Sequence, residues 1–251
     1  MRTARESETV KSVVLRIDSP GGDAAASEAM WHEVMLTRRK KPVIVSMGGY
    51  AASGGYYIAA GADSIVAEPA TLTGSIGVFA LRFNTAGLMR EKLGINMQSI
   101  TSNPHADMMS SFRSPDELER RVLSARTDSI YAEFTRVVAD GRGLALDRVD
   151  SLAQGRVWTG REAKANGLVD LLGGIDDAVR IAAERGGLKK GSYSIRILPR
   201  RQTFIEKVGE MFSSAATAFS GTLESRFYDS LIERLEQMSG IQALMPTVRI
   251  D

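Results

Sequence analysis

The sequence contains no cysteine and only two histidines, His32 and His105. The absence of cysteine excludes disulfides, thiolate metal sites and a cysteine nucleophile. Two histidines do not favour a histidine-based metal centre, so we predict no metal and no cofactor. No run of about 18 apolar residues is present, so no segment is predicted to span a membrane. The 32 basic and 30 acidic residues nearly balance, which gives no electrostatic basis for binding nucleic acid.

Short β-branched runs alternate with helical patterns in the first third of the chain. The predicted elements are strand 10–17, helix 24–39, strand 43–46, helix 56–60 and strand 63–67. This alternation predicts right-handed βαβ crossovers and a largely parallel sheet covered by helices, which is an α/β fold. Further along, we predict a helix over 88–93 and a strand over 97–100.

Capping signals and periodicity organise the rest of the chain. Ser114 with Glu117 predicts the start of a long helix through Asp140, and Thr159 with Glu162 predicts a second capping box. Apolar residues at helical spacing predict two amphipathic helices over 204–245. We therefore expect a serine-bearing domain over 1–190, followed by a strand and a helical tail for assembly over 191–251.

A glycine-rich turn around Ser53 is the first candidate for chemistry. Ser53 is followed by Gly54 and Gly55, between a predicted strand and a predicted helix. The Gly54 amide would lie at a helix N-terminus, where it can stabilise a developing oxyanion. A tight turn that only packs the helix against the strand explains the same residues.

A second glycine turn follows the first predicted strand. Gly21 and Gly22 lie where the next helix opens, and adjacent glycines can direct backbone N–H groups at a bound carbonyl. Two such turns on neighbouring strands make a two-donor oxyanion hole geometrically feasible.

Motifs in one unbroken order resemble the signal peptide peptidase A (protease IV) family over residues 10–187. The motifs are Asp18 to Gly22, Ser46 to Gly55, Thr71 to Gly77, Gly155 to Gly160 and Ala165 to Asp170. The resemblance implies the fold shared by Clp protease and crotonase. It also implies a serine endopeptidase that degrades cleaved signal peptides.

The same resemblance assigns roles to individual residues. Ser53 matches the family's nucleophile, and Gly22 and Gly54 match the positions whose amides form the oxyanion hole. Ser75, Tyr50 and Gly21 are expected to line the active site. For Ser75 and Tyr50, a simple turn or a packing role explains the local sequence equally well.

The general base is where this chain departs from the family pattern. Family members pair the serine with a lysine, whose pKa falls when it is desolvated. Short members carry that lysine in the loop aligned with residues 103–107, where Ala106 stands here. Long members consist of two homologous halves, with the lysine in the N-terminal half. We therefore expect a C-terminal half, truncated at its start, that receives its base from another half or subunit.

This reading carries expectations about partners and location. The partners would be signal peptides and a homologous half or other copies in a homo-oligomer. The resemblance places the catalytic part on the periplasmic side of the bacterial inner membrane, held there by a segment absent from this chain.

Other readings remain open from the sequence. His105 is a rival base because it lies in the loop where short members hold the lysine. Lys40 and Lys41 are predicted to cap the preceding helix, and Lys92 and Lys164 to be solvated. Asp18 and Asp107 are expected to cap turns. The functional alternatives are a catalytically incomplete assembly subunit and a crotonase-type acyl-CoA enzyme.

Overall fold

The computed structural model describes residues 1–189 and 191–199, and the backbone of residues 241–244. In chain order the strands are β1 Val13–Ser19, β2 Gly21–Asp23, β3 Val43–Ala52, β4 Ser64–Ala67, β5 Leu72–Gly74, β6 Phe79–Ala80, β7 Val157–Thr159, β8 Leu171–Leu172 and β9 Ile241–Leu244. The helices are α1 Arg2–Glu6, α2 Ala24–Arg38, α3 Gly54–Ala60, α4 Glu117–Arg142, α5 Leu146–Leu152, α6 Gly160–Ala165 and α7 Ile175–Arg185, with a single helical turn at Leu88–Lys92.

A six-stranded sheet organised around β3 forms the main layer. The path runs β7-β5-β3-β4-β8, and β1 also pairs with β3. The pairings of β3 with β1, β4 and β5 are parallel, and only β7 joins its neighbour in antiparallel fashion. Val43, Ile44 and Val45 have no exposed surface, as expected for a strand covered on both faces. The α/β prediction is therefore confirmed.

Helices bury both faces of this sheet. On one face, Met47 and Ile65 pack with Tyr56 of α3 and Phe134 of α4. On the other face, Ile44 and Val66 pack against α7. The helices α3 and α4 approach so closely that a Cβ added to Gly141 would lie 2.1 Å from the Ala60 carbonyl oxygen. The short helix that follows Ser53 is thus held in place by the core.

A second, smaller sheet has the order β2-β9-β6. Both of its pairings are antiparallel, with Gly22 opposite Ala243 and Phe79 opposite Gln242. Residues 241–244, which the sequence analysis placed in an amphipathic helix, form the strand β9 instead. The rest of that predicted helical tail lies outside the described residues.

Three other local predictions are wrong. Residues 97–100 form no strand; no described strand pairs with them, and Ile100 is 97% exposed. The long helix begins at Glu117 with Asp116 as N-cap, because the Asp116 carboxylate accepts from the Glu119 amide and the Glu119 side chain bonds back.

The glycine-rich turn also starts later than predicted. The strand β3 continues to Ala52, since its last three residues pair with β5. The capping box of Thr159 and Glu162 is confirmed at the start of α6.

Among the described residues, no helix combines the length and the apolar character needed to cross a bilayer.

Candidate active site

Ser53 occupies the single residue between β3 and α3. Its backbone has φ 51° and ψ −119°, a conformation that residues other than glycine rarely adopt. The residue has no exposed surface, and its Oγ has no hydrogen-bond partner in the described part of the chain. A buried hydroxyl without a partner is unusual in a folded protein, and such strain and unsatisfied polarity concentrate at functional sites.

Backbone bonds hold this strained turn on both sides. The Ser53 amide donates to the Gly74 carbonyl at 2.8 Å, and the Ser53 carbonyl accepts from the Tyr57 amide at 2.8 Å. A Cβ on Gly55 would lie 2.9 Å from the Ser19 carbonyl oxygen. The small residues around Ser53 therefore let β1, β5 and α3 converge on one point.

The structure brings the two predicted oxyanion donors together. A Cβ on Gly54 would lie 3.2 Å from the Gly22 backbone nitrogen and 2.4 Å from Ser27 Oγ. Ser27 is 5% exposed, and its hydroxyl donates to the Asp23 carbonyl at 2.8 Å. The first turn of α2 is thereby fastened beside Gly54. Gly22 and Gly54 therefore lie side by side, and the role of their amides stays a prediction.

Sequence reasoning missed Ser27. It lies four residues after Asp23 and one turn into a helix, a place where serine bonds back to the backbone. That spacing was a usable signal, but it did not reveal that the hydroxyl also packs on Gly54.

Gly54→Ala is expected to lower turnover by about 10²–10³-fold, the usual cost of disturbing one oxyanion donor. The new methyl group would displace Ser27 and shift α2 away from α3. Steady-state hydrolysis of one fluorogenic peptide measures the effect. In the double variant Gly54→Ala/Ser27→Ala, the clashing oxygen is gone and activity should partly return. A double variant no better than Gly54→Ala would contradict this packing argument.

The other predicted lining residues differ in their placement. Ser75 is 3% exposed, has φ 48° and follows Gly74, which pairs with Ala52 directly before Ser53. Gly21 has φ 121° and precedes Gly22 in β2. Tyr50 lies on β3 and is 43% exposed, with its amide 3.3 Å from Asp18 Oδ1. Asp18 thus accepts a backbone bond, as predicted for a capping carboxylate.

None of the described lysines donates a hydrogen bond to Ser53 Oγ. Lys41 Nζ donates to the carbonyls of Ala4 and Ser7. It therefore caps the end of α1, which corrects the prediction that it caps α2. Lys164 and Lys92 are both exposed, as predicted, and Lys164 Nζ also donates to the Asp170 carbonyl at 3.0 Å.

His105 is engaged in an ionic cluster. Its Nδ1 lies 3.1 Å from Glu119 Oε1 and 3.2 Å from Asp116 Oδ2. Arg113 donates to both Glu119 and Asp107, which lowers the pKa of the Asp107 carboxyl to about 2 and that of Glu119 well below its usual range. Asp107 thus pairs with Arg113, where turn capping was predicted. Arg113 pairs with Asp107 and Glu119, and His105 contacts Asp116 and Glu119, so these described side chains form an ion-pair network.

The sequence of this chain matches the model of one peptidase family. The model of peptidase family S49 matches residues 35–189, more than half of the chain. Among solved structures, the chain is similar to a ClpP1 mutant from Listeria monocytogenes, with a TM-score of 0.44 and 16% identity over 67% of this chain and 78% of that chain.

Curated relatives carry protease names. The chain is 38% identical over 98% of its length to the chloroplastic serine protease SPPA of Arabidopsis thaliana, and 46% identical over 76% of its length to protease 4 of Salmonella typhi. Protease 4 of Haemophilus influenzae is 40% identical over 73% of the chain. The chain covers 36%, 31% and 30% of these relatives, respectively, so it spans about a third of their length. The chain belongs to peptidase family S49, and the predicted class, a serine peptidase, is confirmed at the level of the family.

Proposed function

We propose that this chain is the serine-bearing half of a Ser–Lys endopeptidase that degrades cleaved signal peptides, with Ser53 as the nucleophile. The observation that carries the proposal is the buried, unpartnered Ser53 Oγ on a strained turn beside the Gly22 and Gly54 amides. A nucleophile, a strained elbow and adjacent backbone donors are the parts that acyl transfer needs.

The chemistry would proceed in two steps. Ser53 Oγ attacks the peptide carbonyl while a base takes its proton, and the Gly22 and Gly54 amides donate to the oxyanion. The base then protonates the leaving amine, and the C–N bond breaks to leave an ester on Ser53. A water molecule hydrolyses this ester in the same way and restores the hydroxyl. Preorganised donors of this kind supply much of the rate enhancement in acyl transfer.

The base is proposed to be a lysine from a homologous half or another copy of this chain. A serine hydroxyl is a poor nucleophile without a base, and Ser53 Oγ has no partner among the described residues. An interface that closes over Ser53 would also desolvate the lysine and lower its pKa. Oligomer formation, membrane association and a periplasmic site of action belong to this proposal.

The unpartnered Ser53 Oγ also supports a second candidate, a catalytically incomplete subunit that serves assembly. The two candidates differ in whether Ser53 becomes nucleophilic once the partner is present.

Labelling with a fluorophosphonate probe distinguishes the active peptidase from the catalytically incomplete subunit. In the complete protein, Ser53 is expected to be labelled covalently within minutes, because an activated serine attacks the phosphorus and displaces fluoride. Peptide mass spectrometry locates the adduct. The matched control is the same protein with Ser53→Ala, which should take up no label. Absence of an adduct on Ser53 while the partner half is bound would favour the incomplete subunit.

A further inference from the structure

A buried serine, Ser27, lies on the face of α2 that packs against α3. The buried positions of α2 are Ser27, Val34 and Thr37, and a polar side chain at such a position needs a hydrogen-bond partner. Ser27 Oγ has one, because it donates to the Asp23 carbonyl at 2.8 Å. That bond is common for a serine in a helix and by itself assigns no function.

Thr37 provides an internal comparison on the same helix. Its Oγ1 donates to the Glu33 carbonyl at 2.7 Å, which is the same bond to the residue four positions back, and its side chain is also buried. Ser27 and Thr37 are ten positions apart, about 15 Å along a helix axis. Any effect of Ser27 that Thr37 does not share must therefore come from what surrounds Ser27.

What distinguishes Ser27 is its contact with Gly54. A Cβ on Gly54 would lie 2.4 Å from Ser27 Oγ, 3.4 Å from Ser27 Cβ and 3.2 Å from the Gly22 nitrogen. The Ser27 side chain and the Gly22 amide thus surround the same point beside the Gly54 Cα. A heavy atom at that point would be closer than packed atoms allow, so the size of the side chain at position 27 helps to set the separation of the two glycines.

Ser27 also contacts the segment that carries Gly22. Its hydroxyl is bonded to the carbonyl of Asp23, the residue directly after Gly22, and the Asp23 carboxylate caps α2 by accepting from the Ala26 amide at 2.8 Å. These bonds tie the first turn of α2 to the Gly22 turn. One side chain thus joins the two segments that carry the proposed oxyanion donors.

A second contact between α2 and α3 holds the helix pair at its other end. A Cβ on Gly61, which follows α3, would lie 2.8 Å from Trp31 Nε1 and 3.0 Å from Met35 Sδ. The two helices therefore meet at a glycine at each end of α3. Because the far contact opposes movement of the whole of α2, a change in the volume of residue 27 is expected to shift the first turn of α2 and the Gly22 amide.

We propose that Ser27 is a positioning residue that sets the spacing of the Gly22 and Gly54 amides, with a side chain matched to the space that Gly54 leaves. The inference rests on the proposed function and deepens it, because an oxyanion must receive both donors at once. Small displacements of preorganised donors slow the chemical step while they leave binding of the ground-state substrate largely unchanged. Ser27 acts through the two glycines, so it is not itself a catalytic residue.

Steady-state kinetics of the complete protein test the proposal. Ser27→Ala removes the oxygen that contacts Gly54 and is expected to lower kcat about tenfold with KM unchanged. Ser27→Cys places a larger atom against Gly54 and should lower kcat further. The matched control is Thr37→Val, which removes the same type of bond elsewhere on α2 and should keep the parental kcat. A parental kcat in Ser27→Ala, a higher kcat in Ser27→Cys than in Ser27→Ala, or an equal loss in Thr37→Val would overturn the proposal.

A second readout needs no turnover. In the full 251-residue chain labelled with isotopic glycine, Ser27→Ala should shift the backbone amide signals of Gly22 and Gly54 in a nitrogen–proton correlation spectrum. Thr37→Val should leave both signals in place. Unchanged signals of the two glycines in Ser27→Ala would contradict the positioning role.

The two readouts separate this inference from the proposed function. If Ser53 takes up no phosphonate in the complete protein, the peptidase is refuted, and the amide signals still decide whether Ser27 positions the two glycines. If Ser53 is reactive while Ser27→Ala leaves kcat and both signals unchanged, the role of Ser27 is refuted and the peptidase stands.

Discussion

Ser53→Ala in the complete protein is expected to lower peptide hydrolysis by about 10⁴-fold or more, since removal of a catalytic serine leaves only the contribution of binding and the oxyanion donors. The Ser53 hydroxyl makes no hydrogen bond in the described structure, so its loss removes no hydrogen bond. The thermal midpoint should therefore stay close to that of the parent. Turnover of a fluorogenic peptide and a thermal melt measure the two effects.

A matched control is Ser64→Ala, which removes the hydroxyl of another buried serine, on β4 away from the turn. It should retain hydrolysis. Near-parental turnover by Ser53→Ala would exclude Ser53 as the nucleophile.

The backbone of Ser53 adds a second arm to this experiment. Glycine adopts the conformation at φ 51° and ψ −119° more easily than serine does. Ser53→Gly should thus be as inactive as Ser53→Ala but more stable, by about 1 kcal/mol. A gain in stability that accompanies the loss of activity is the behaviour of a residue held in strain for function. A Ser53→Gly protein less stable than Ser53→Ala would contradict the strain argument.

The 251-residue chain by itself is expected to show little or no hydrolysis between about pH 6 and 9, whereas the same chain with a lysine-bearing homologous half should be active. The reason is the missing base: within the described residues, Lys41 and Lys164 bond to carbonyls elsewhere, and His105 contacts Glu119. A desolvated lysine must lose its proton to act, so the restored activity should rise with pH to a plateau above the lowered lysine pKa.

The comparison uses one fluorogenic peptide and four proteins. They are the chain alone, the chain with Ala106→Lys, the chain mixed with the homologous half, and that mixture with Ser53→Ala. Any activity in the mixture should vanish in the last of them. Robust Ser53-dependent cleavage by the chain alone would refute the shared-base hypothesis and return attention to His105.

Short-range patterns in the sequence determined much of the architecture. The β-branched run from Val43 predicts a buried strand because a strand covered on both faces must be apolar throughout. Ser53 was recognisable because glycines and alanines surround it, and only small residues permit the close approaches measured at Gly54 and Gly55. The capping box of Thr159 and Glu162 could be predicted from the sequence because its two residues are only three positions apart.

The tertiary structure alone decided what depends on contacts between distant segments. The juxtaposition of Gly22, Ser27 and Gly54 arises because β1 and β3 are parallel neighbours whose following turns meet at one edge of the sheet. The strand β9 has a helical period in sequence, yet it extends because β2 and β6 offer unpaired backbone on both sides. Local propensity is weak beside such ladders. That Ser53 Oγ is buried without a hydrogen-bond partner among the described residues is likewise a property of packing, which no spacing along the chain reveals.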